Sequence, residues 1–372
     1  MFKKGFLTGV CITAGIFSII ILIIIGMIPQ DEKDAKLETV KDIIEKSYIG
    51  EINEKSLQDG YLTGYVSGLQ DPYSKYMPAV ESEEFSNQIQ GVSYGIGVEV
   101  LKEDDTCTIQ EVYENSPAKE SGLKKEDVIK EIDRQDVSNM SEEDIVSMLQ
   151  GDIDTNVELL IKRKKKKPKK YTVTRGEYEI PTVYSAETKD KMGYVKIEEF
   201  STTTEGQFQK ALENIEKCKG LIIDLRDNPG GEVNACCNIL DQLLPKGELV
   251  YIKEKNGKKT SFSSEDDQHY DKPIFVLVNE NTASASEIFA GAIQDRKAGL
   301  IVGEKTFGKG VVQKIFDLGD GSSLKLTISY YYTPSGKNIN GEGIIPDSIA
   351  YDDERTNKDE VIEAARKHFP EN

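Results

Sequence analysis

Ile274-Phe275-Val276-Leu277-Val278-Asn279-Glu280-Asn281-Thr282-Ala283-Ser284-Ala285-Ser286-Glu287 passes from an unbroken apolar run through a polar, small-residue turn into a helical pattern. The apolar run reads as a buried strand and 284–294 as the helix it feeds. A buried strand feeding a helix is the repeating unit of a layered α/β core. The pattern recurs outward from here. Strands are expected at 193–200, 220–225, 300–302 and 324–331, and helices at 207–217 and 233–244. Residues 177–350 therefore read as one α/β core.

The turn itself can carry chemistry. A serine at a strand end, followed by a helix start, exposes its hydroxyl beside backbone N–H groups that can face an oxyanion. Ser284 and Ser286 both fit, and a plain helix cap is the bland alternative. A nucleophilic serine needs a base. The chain has only His269, in a polar loop, and His368, in the tail. A lysine can serve if burial lowers its pKa. Thr306-Phe307-Gly308-Lys309-Gly310 offers one, flanked by glycines and an aromatic. Asp227-Asn228-Pro229-Gly230-Gly231 follows another expected strand, and its glycines free the backbone to donate to an anion.

Upstream the pattern changes. Residues 91–176 read as short strands (95–100, 107–112, 127–132, 157–163) around a short helix opened by Ser116-Pro117-Ala118 and a second helix over 141–149. Ser141 is the expected N-cap of that second helix. Residues 31–90 read as short helices, with Leu37, Val40, Ile43 and Ile44, then Leu57, Tyr61, Leu62 and Tyr65, at helical spacing. This segment is a candidate homodimer contact. A charged helical tail is expected over 351–372.

The N-terminus differs from the rest. Residues 5–28 hold no charge and are rich in Ile, Leu, Val and Phe. As a helix they would rise about 36 Å, enough for a hydrocarbon core of about 30 Å. Lys3 and Lys4 precede the span, while Asp31, Glu32 and Asp34 follow it. Residues 1–30 are thus expected to form a cytoplasmic stub and a retained transmembrane helix, with the bulk of the chain outside, in a bacterial envelope. No small-x-small cleavage site follows the run.

The net charge is −18 at pH 7, which argues against nucleic acid as a partner. One basic run opposes it, Lys162-Arg163-Lys164-Lys165-Lys166-Lys167-Pro168-Lys169-Lys170, between strand-like segments. It reads as a solvated hairpin tip, or as a contact for an anionic membrane or wall polymer. Cys11 lies in the apolar span. Cys107, Cys218, Cys236 and Cys237 show neither zinc spacing nor a disulfide framework, so buried thiols are expected.

Taken in order, DPYSKY (71–76), LRDNPGG (225–231), TASASEIFAGAIQD (282–295), EKTFGKG (304–310) and TPSGKNINGEGIIPD (333–347) resemble one family. It is the carboxyl-terminal processing, or tail-specific, peptidases, serine proteases of the S41 type with a PDZ domain. The resemblance runs from about residue 37 to about residue 347. It implies an α/β protease core preceded by a PDZ domain. It further implies Ser284 as nucleophile, Lys309 as general base, Gln313 as the residue orienting the lysine, and the N–H groups of Gly231 and Ala285 as the oxyanion hole. Asp295 matches an acidic position of structural character. The chemistry is acyl-enzyme peptide hydrolysis, with no metal and no organic cofactor.

Residues 92–176 resemble a circularly permuted bacterial PDZ domain. The resemblance implies that Tyr94-Gly95-Ile96-Gly97 bind a peptide's terminal carboxylate and that Val98 and Val100 line the groove. Protein or peptide substrates with free C-termini are the implied partners. Ser116-Pro117-Ala118 and Gly122-Leu123 match further markers. Two departures stand out: Glu126-Asp127 where Gly-Asp is usual, and an acidic 150–155 turn where relatives tend to be basic. The competing expectation is a catalytically silent scaffold that binds C-termini at the membrane.

Overall fold

The structure is a computed structural model, and it describes residues 32–265, 270–353, 355–356 and 358–369. The apolar span at 5–28, Cys11 and His269 lie outside the described residues. Among the described residues no helix is long and apolar enough to cross a membrane. The chain divides into two compact units, one up to Gly64 and one from Tyr65 onward.

The first unit holds α1 (Glu32–Ser47) and most of α2 (Glu54–Ser67). Lys and Glu lose little side-chain freedom in a helix, and Lys41–Glu38 and Lys46–Asp42 pair along the surface of α1. Val40, Ile43, Leu57 and Tyr61, from the two predicted apolar stripes, stand exposed.

The second unit opens with the last residues of α2, and the 71–76 turn follows. The Asp71 carboxylate accepts from the Tyr73 N–H and the Ser74 hydroxyl, and this turn feeds β1 (Lys75–Met77) and α3 (Ala79–Gln90). Next come β2 (Val92–Gly95), β3 (Val98–Glu103), β4 (Thr106–Val112), α4 (Pro117–Glu120), β5 (Val128–Ile132), β6 (Gln135–Asp136), α5 (Glu142–Leu149), β7 (Asn156–Lys162), β8 (Lys169–Thr174) and β9 (Gly176–Glu179). The sheet order is β3-β4-β5-β7-β8, with β6 on β5, and β2 pairs separately with β9. Alternating strand residues Ile109, Ile129, Leu159 and Ile161 meet Ile145 and Leu149 of α5 in one core. Ser141 caps α5 by accepting from the Asp144 N–H. The basic run is the tip of the β7–β8 hairpin, with Lys164 to Lys167 exposed. Only Arg163 turns inward, onto the buried Asp127 carboxylate at 2.7 Å.

The remaining elements are β10 (Val183–Glu187), β11 (Gly193–Ile197), α6 (Thr204–Asn214), β12 (Leu221–Asp224), α7 (Val233–Leu243), β13 (Gly247–Glu254), β14 (Lys259–Ser264), β15 (Ile274–Val278), α8 (Ala285–Asp295), β16 (Leu300–Gly303), β17 (Val311–Asp317), β18 (Ser323–Tyr332), β19 (Ser348–Ile349) and α9 (Glu360–Arg366). β11, β12, β15, β16 and β19 run parallel in that order, with β10 antiparallel at one edge. Every residue of β12 and β15 is buried, as a parallel strand covered on both faces requires. Side chains of α6, α7 and α8 join the larger core cluster, and those of α9 join the other. A second, antiparallel sheet, β1-β18-β13-β14 with β17 on β18, packs β13 against α8 and β14 against α7.

Beside the parallel sheet, the half-buried Arg226 guanidinium bridges Asp224, Asp352 and Asp359 at 2.6–2.8 Å. That network ties the end of β12 to the C-terminal segment. Cys107, Cys218, Cys236 and Cys237 are free and buried.

Candidate active site

The carboxyl ends of adjacent parallel strands bring together segments far apart in sequence. β12 runs into the 225–231 loop, β15 into the 279–284 turn and β16 into the 304–310 loop, and these three strands are neighbours in the sheet. The loops are stitched to each other. The Ala283 N–H donates to the Asn228 carbonyl (3.0 Å), the Thr282 hydroxyl to the Leu225 carbonyl (2.8 Å), and the Phe307 N–H to the Thr282 carbonyl (3.0 Å). Asp227 accepts from the Asn279 and Asn281 side chains at 2.8 and 2.9 Å.

Ser284 sits at the N-cap of α8 with φ +57° and ψ −117°. A non-glycine residue there is strained by about 1–3 kcal/mol, so the surroundings must hold it. The buried Tyr331 hydroxyl donates to the Ser284 carbonyl at 3.0 Å. Glu287, wholly buried, accepts the Ser284 N–H at 2.9 Å.

Glu287 is the residue that sequence reading missed. One carboxylate oxygen accepts from Ser284 N–H and Lys309 N–H (2.9 and 2.8 Å). The other accepts from the Thr306 hydroxyl and the Gly308 N–H (2.6 and 2.7 Å). A single side chain therefore fixes the turn of the serine to the loop of the lysine. Both oxygens act as acceptors throughout, the pattern of an ionised carboxylate. Burial pushes its pKa up, while the four donors pull it down. Its one sequence signal was a glutamate three residues after an N-cap serine, the spacing of a capping box. In the sequence that spacing suggests only a cap.

Lys309 is partly buried. Its ammonium lies 4.9 Å from the centre of the Tyr73 ring, which the 71–76 turn delivers. Burial lowers its pKa, and the nearby Lys325 charge lowers it further; Glu287 and Asp71 act the other way. Among the described residues no hydrogen bond joins the Lys309 amine to the Ser284 hydroxyl. Gln313, on β17 beside a bulge, donates its amide to the Thr327 hydroxyl at 3.4 Å. The structure thus puts Gln313 beside the same cleft as Lys309, without a bond between them.

Gly230 and Gly231 lie against the serine turn. A Cβ on Gly230 would fall 2.8 Å from both the Ala285 nitrogen and the Ser284 Cβ. A Cβ on Gly231 (φ +130°) would fall 2.1 Å from the Phe200 carbonyl oxygen. Both positions need glycine. Asn228 holds the loop, its side-chain oxygen accepting the Gly230 N–H and its side-chain amide donating to the Ile197 carbonyl. Ala285 opens α8, so its N–H has no carbonyl one turn back to bond. Ser286 is buried within α8, away from the cleft lining. Asp295, at the far end of α8, accepts the Ser335 N–H at 2.9 Å.

Ser284, Gly230, Gly231, Lys309 and Gln313 line one cleft of about 570 Å³. Its apolar wall includes Phe200, Val233, Ile252, Phe262 and Ile288.

A second cleft, of about 320 Å³, lies between β3 and α5. Ile96, Gly97, Val98 and Val100 line it. Tyr94 and Gly95 instead belong to β2, paired with Glu177 and Gly176 of β9. The Ile96 and Gly97 carbonyls are bonded into the body by Ala118 and Tyr113.

The peptidase family S41 model matches residues 191–350, a PDZ domain model matches 85–162, and the activating protease CtpB N-terminal domain model matches 27–80. Carboxy-terminal processing protease CtpB of Bacillus subtilis is 34% identical over 324 residues, covering 85% of this chain and 68% of that protein. A probable CtpA-like serine protease of Staphylococcus haemolyticus is 33% identical over 331 residues, covering 87% of this chain and 66% of that protein. The chain thus spans about two thirds of the length of these relatives. A solved structure of a putative S41 protease from Bacteroides fragilis covers 82% of this chain and 84% of its own, with TM-score 0.51 and 18% identity, and so shares its fold. The chain belongs to peptidase family S41, the carboxy-terminal processing serine proteases, and carries a PDZ domain ahead of the catalytic core.

Proposed function

We propose that this chain is a membrane-anchored endopeptidase that cuts peptide bonds with a Ser284–Lys309 pair and recognises substrate C-termini through its PDZ cleft. The observation that carries the reading is the buried Glu287 carboxylate, which binds the backbone of both Ser284 and Lys309 at the rim of one cleft. Neutral Lys309 takes the Ser284 proton, and the hydroxyl oxygen attacks the substrate carbonyl. The Gly231 and Ala285 N–H groups, at the start of α8, receive the developing oxyanion. The protonated amine then gives its proton to the leaving nitrogen, and water releases the acyl-enzyme. The partial burial of Lys309 and the neighbouring Lys325 charge favour the neutral base this needs. To reach the serine, the amine has to leave the face of the Tyr73 ring. Gln313, close by on β17, steadies it there.

The anchor is the 5–28 span, which holds the bulk of the chain outside the membrane of a bacterial envelope. The exposed stripe of Val40, Ile43, Leu57 and Tyr61 supports a homodimer contact within residues 31–90.

The test is cleavage of an unstructured protein by the full chain beside Ser284→Ala and Lys309→Ala. Each substitution is expected to abolish cutting while leaving the melting temperature nearly unchanged. Residual cutting by Ser284→Ala removes the nucleophile assignment.

A further inference from the structure

The PDZ cleft carries charge of one sign. Among the described residues its lining includes Glu99 and Glu142 but no lysine or arginine. Glu99 stands directly opposite Glu111 across the β3–β4 ladder. Like charges in that relation repel. Glu111 is neutralised by Lys125 at 3.3 Å, whereas Glu99 has no ion-pair partner among the described residues. Lys102, the nearest cation on β3, is turned away, its ammonium held by the Ser138 carbonyl at 2.9 Å and by the Asp104 carbonyl. Glu99 is therefore an exposed, uncompensated anion at the rim of an apolar cleft.

The backbone fixes where Glu99 would meet a ligand. Lys102 N–H points out of the β3–β4 pair and donates to the Glu142 carboxylate at 2.8 Å. By strand alternation the N–H groups of Val98 and Val100 open on the same edge. A chain whose terminal carboxylate sits at 95–97 runs antiparallel to β3 from there. Its last residue then lies opposite Val98, its second-to-last opposite Glu99, and its fifth-from-last opposite Lys102. Glu142 already occupies the last of these positions, so strand pairing ends after four residues.

We propose that this cleft selects chain ends in which an apolar last residue is preceded by lysine or arginine, and that Glu99 reads the basic side chain while Glu142 closes the groove. The proposal rests on the reading of the cleft as a C-terminus site and names which C-termini it takes. The apolar residue enters beside Ile96, Val146 and Leu149. The basic one, second-to-last, points to the opposite face beside Glu99, and a residue at the fourth-from-last position lies diagonal to it.

The test uses the full chain with Ser284→Ala to stop turnover and fluorescent ten-residue peptides read by anisotropy. One ends in Ala-Lys-Val, one in Ala-Glu-Val, and one is the Lys peptide with an amidated end. The Lys peptide is expected to bind about tenfold tighter than the Glu peptide at low salt, with the gap closing as salt rises. Glu99→Lys is expected to reverse the order. Equal affinity for the Lys and Glu peptides, both tighter than the amide, overturns the selection and leaves C-terminus binding standing. Amide and free-acid peptides of equal affinity overturn C-terminus binding itself.

Discussion

Replacing Glu287 by glutamine changes one atom in a site where four donors converge. The amide retains one acceptor oxygen and substitutes a donor for the other. Its least costly orientation keeps the oxygen on Ser284 and Lys309 and turns the nitrogen toward Thr306 and Gly308. The Thr306 hydroxyl can rotate to accept. The Gly308 N–H cannot, and is left buried facing another donor. Losing one charge-assisted hydrogen bond costs about 1.5–3 kcal/mol. If that cost is relieved by movement of the lysine loop, cleavage should fall roughly ten- to a hundredfold.

A second readout separates positioning from plain loss of stability. The Glu287 anion favours protonated Lys309 and so raises the lysine pKa. Removing the charge lets that pKa fall. The rise of activity with pH, which on the proposed mechanism follows deprotonation of Lys309, should then move to lower pH in Glu287→Gln. The assay is initial rate against pH on an unstructured protein, alongside a thermal melt. Native-like rates with an unmoved pH profile would refute the reasoning, as would a shift to higher pH.

Lys325 acts on the same lysine with opposite sign. Its charge lowers the Lys309 pKa, so Lys325→Met should move the ascending limb of the pH–rate profile to higher pH. Gly231→Ala puts a methyl 2.1 Å from the Phe200 carbonyl oxygen at φ +130°. About 1–3 kcal/mol of strain, relieved by displacing the Gly231 N–H, should cost at least tenfold in cleavage rate with a smaller effect on peptide binding to the PDZ cleft.

The buried parallel strands were legible because burial on both faces writes an unbroken apolar run, as in β12 and β15. The antiparallel sheet was mostly not. β14 and β17 are largely exposed, so Lys259–Ser264 and Val311–Asp317 carry no clear period of burial. β1 is only three residues long and hid inside a segment read as helical. Apolar patterning, and the ordered motifs around Ser284, Lys309 and Gly231, were in the sequence because they depend on residue type and local spacing. The role of Glu287 was not. Its partners at 306, 308 and 309 come from another strand's loop, and only the pairing of β15 with β16 brings them to it. The acidity of the PDZ rim was also invisible. Glu99 and Glu142 are far apart in sequence and share a cleft only because α5 folds back across the open edge of β3. Local residue pattern determined the buried strands, the helices and the order of the candidate groups; packing between distant elements decided which charges face each other.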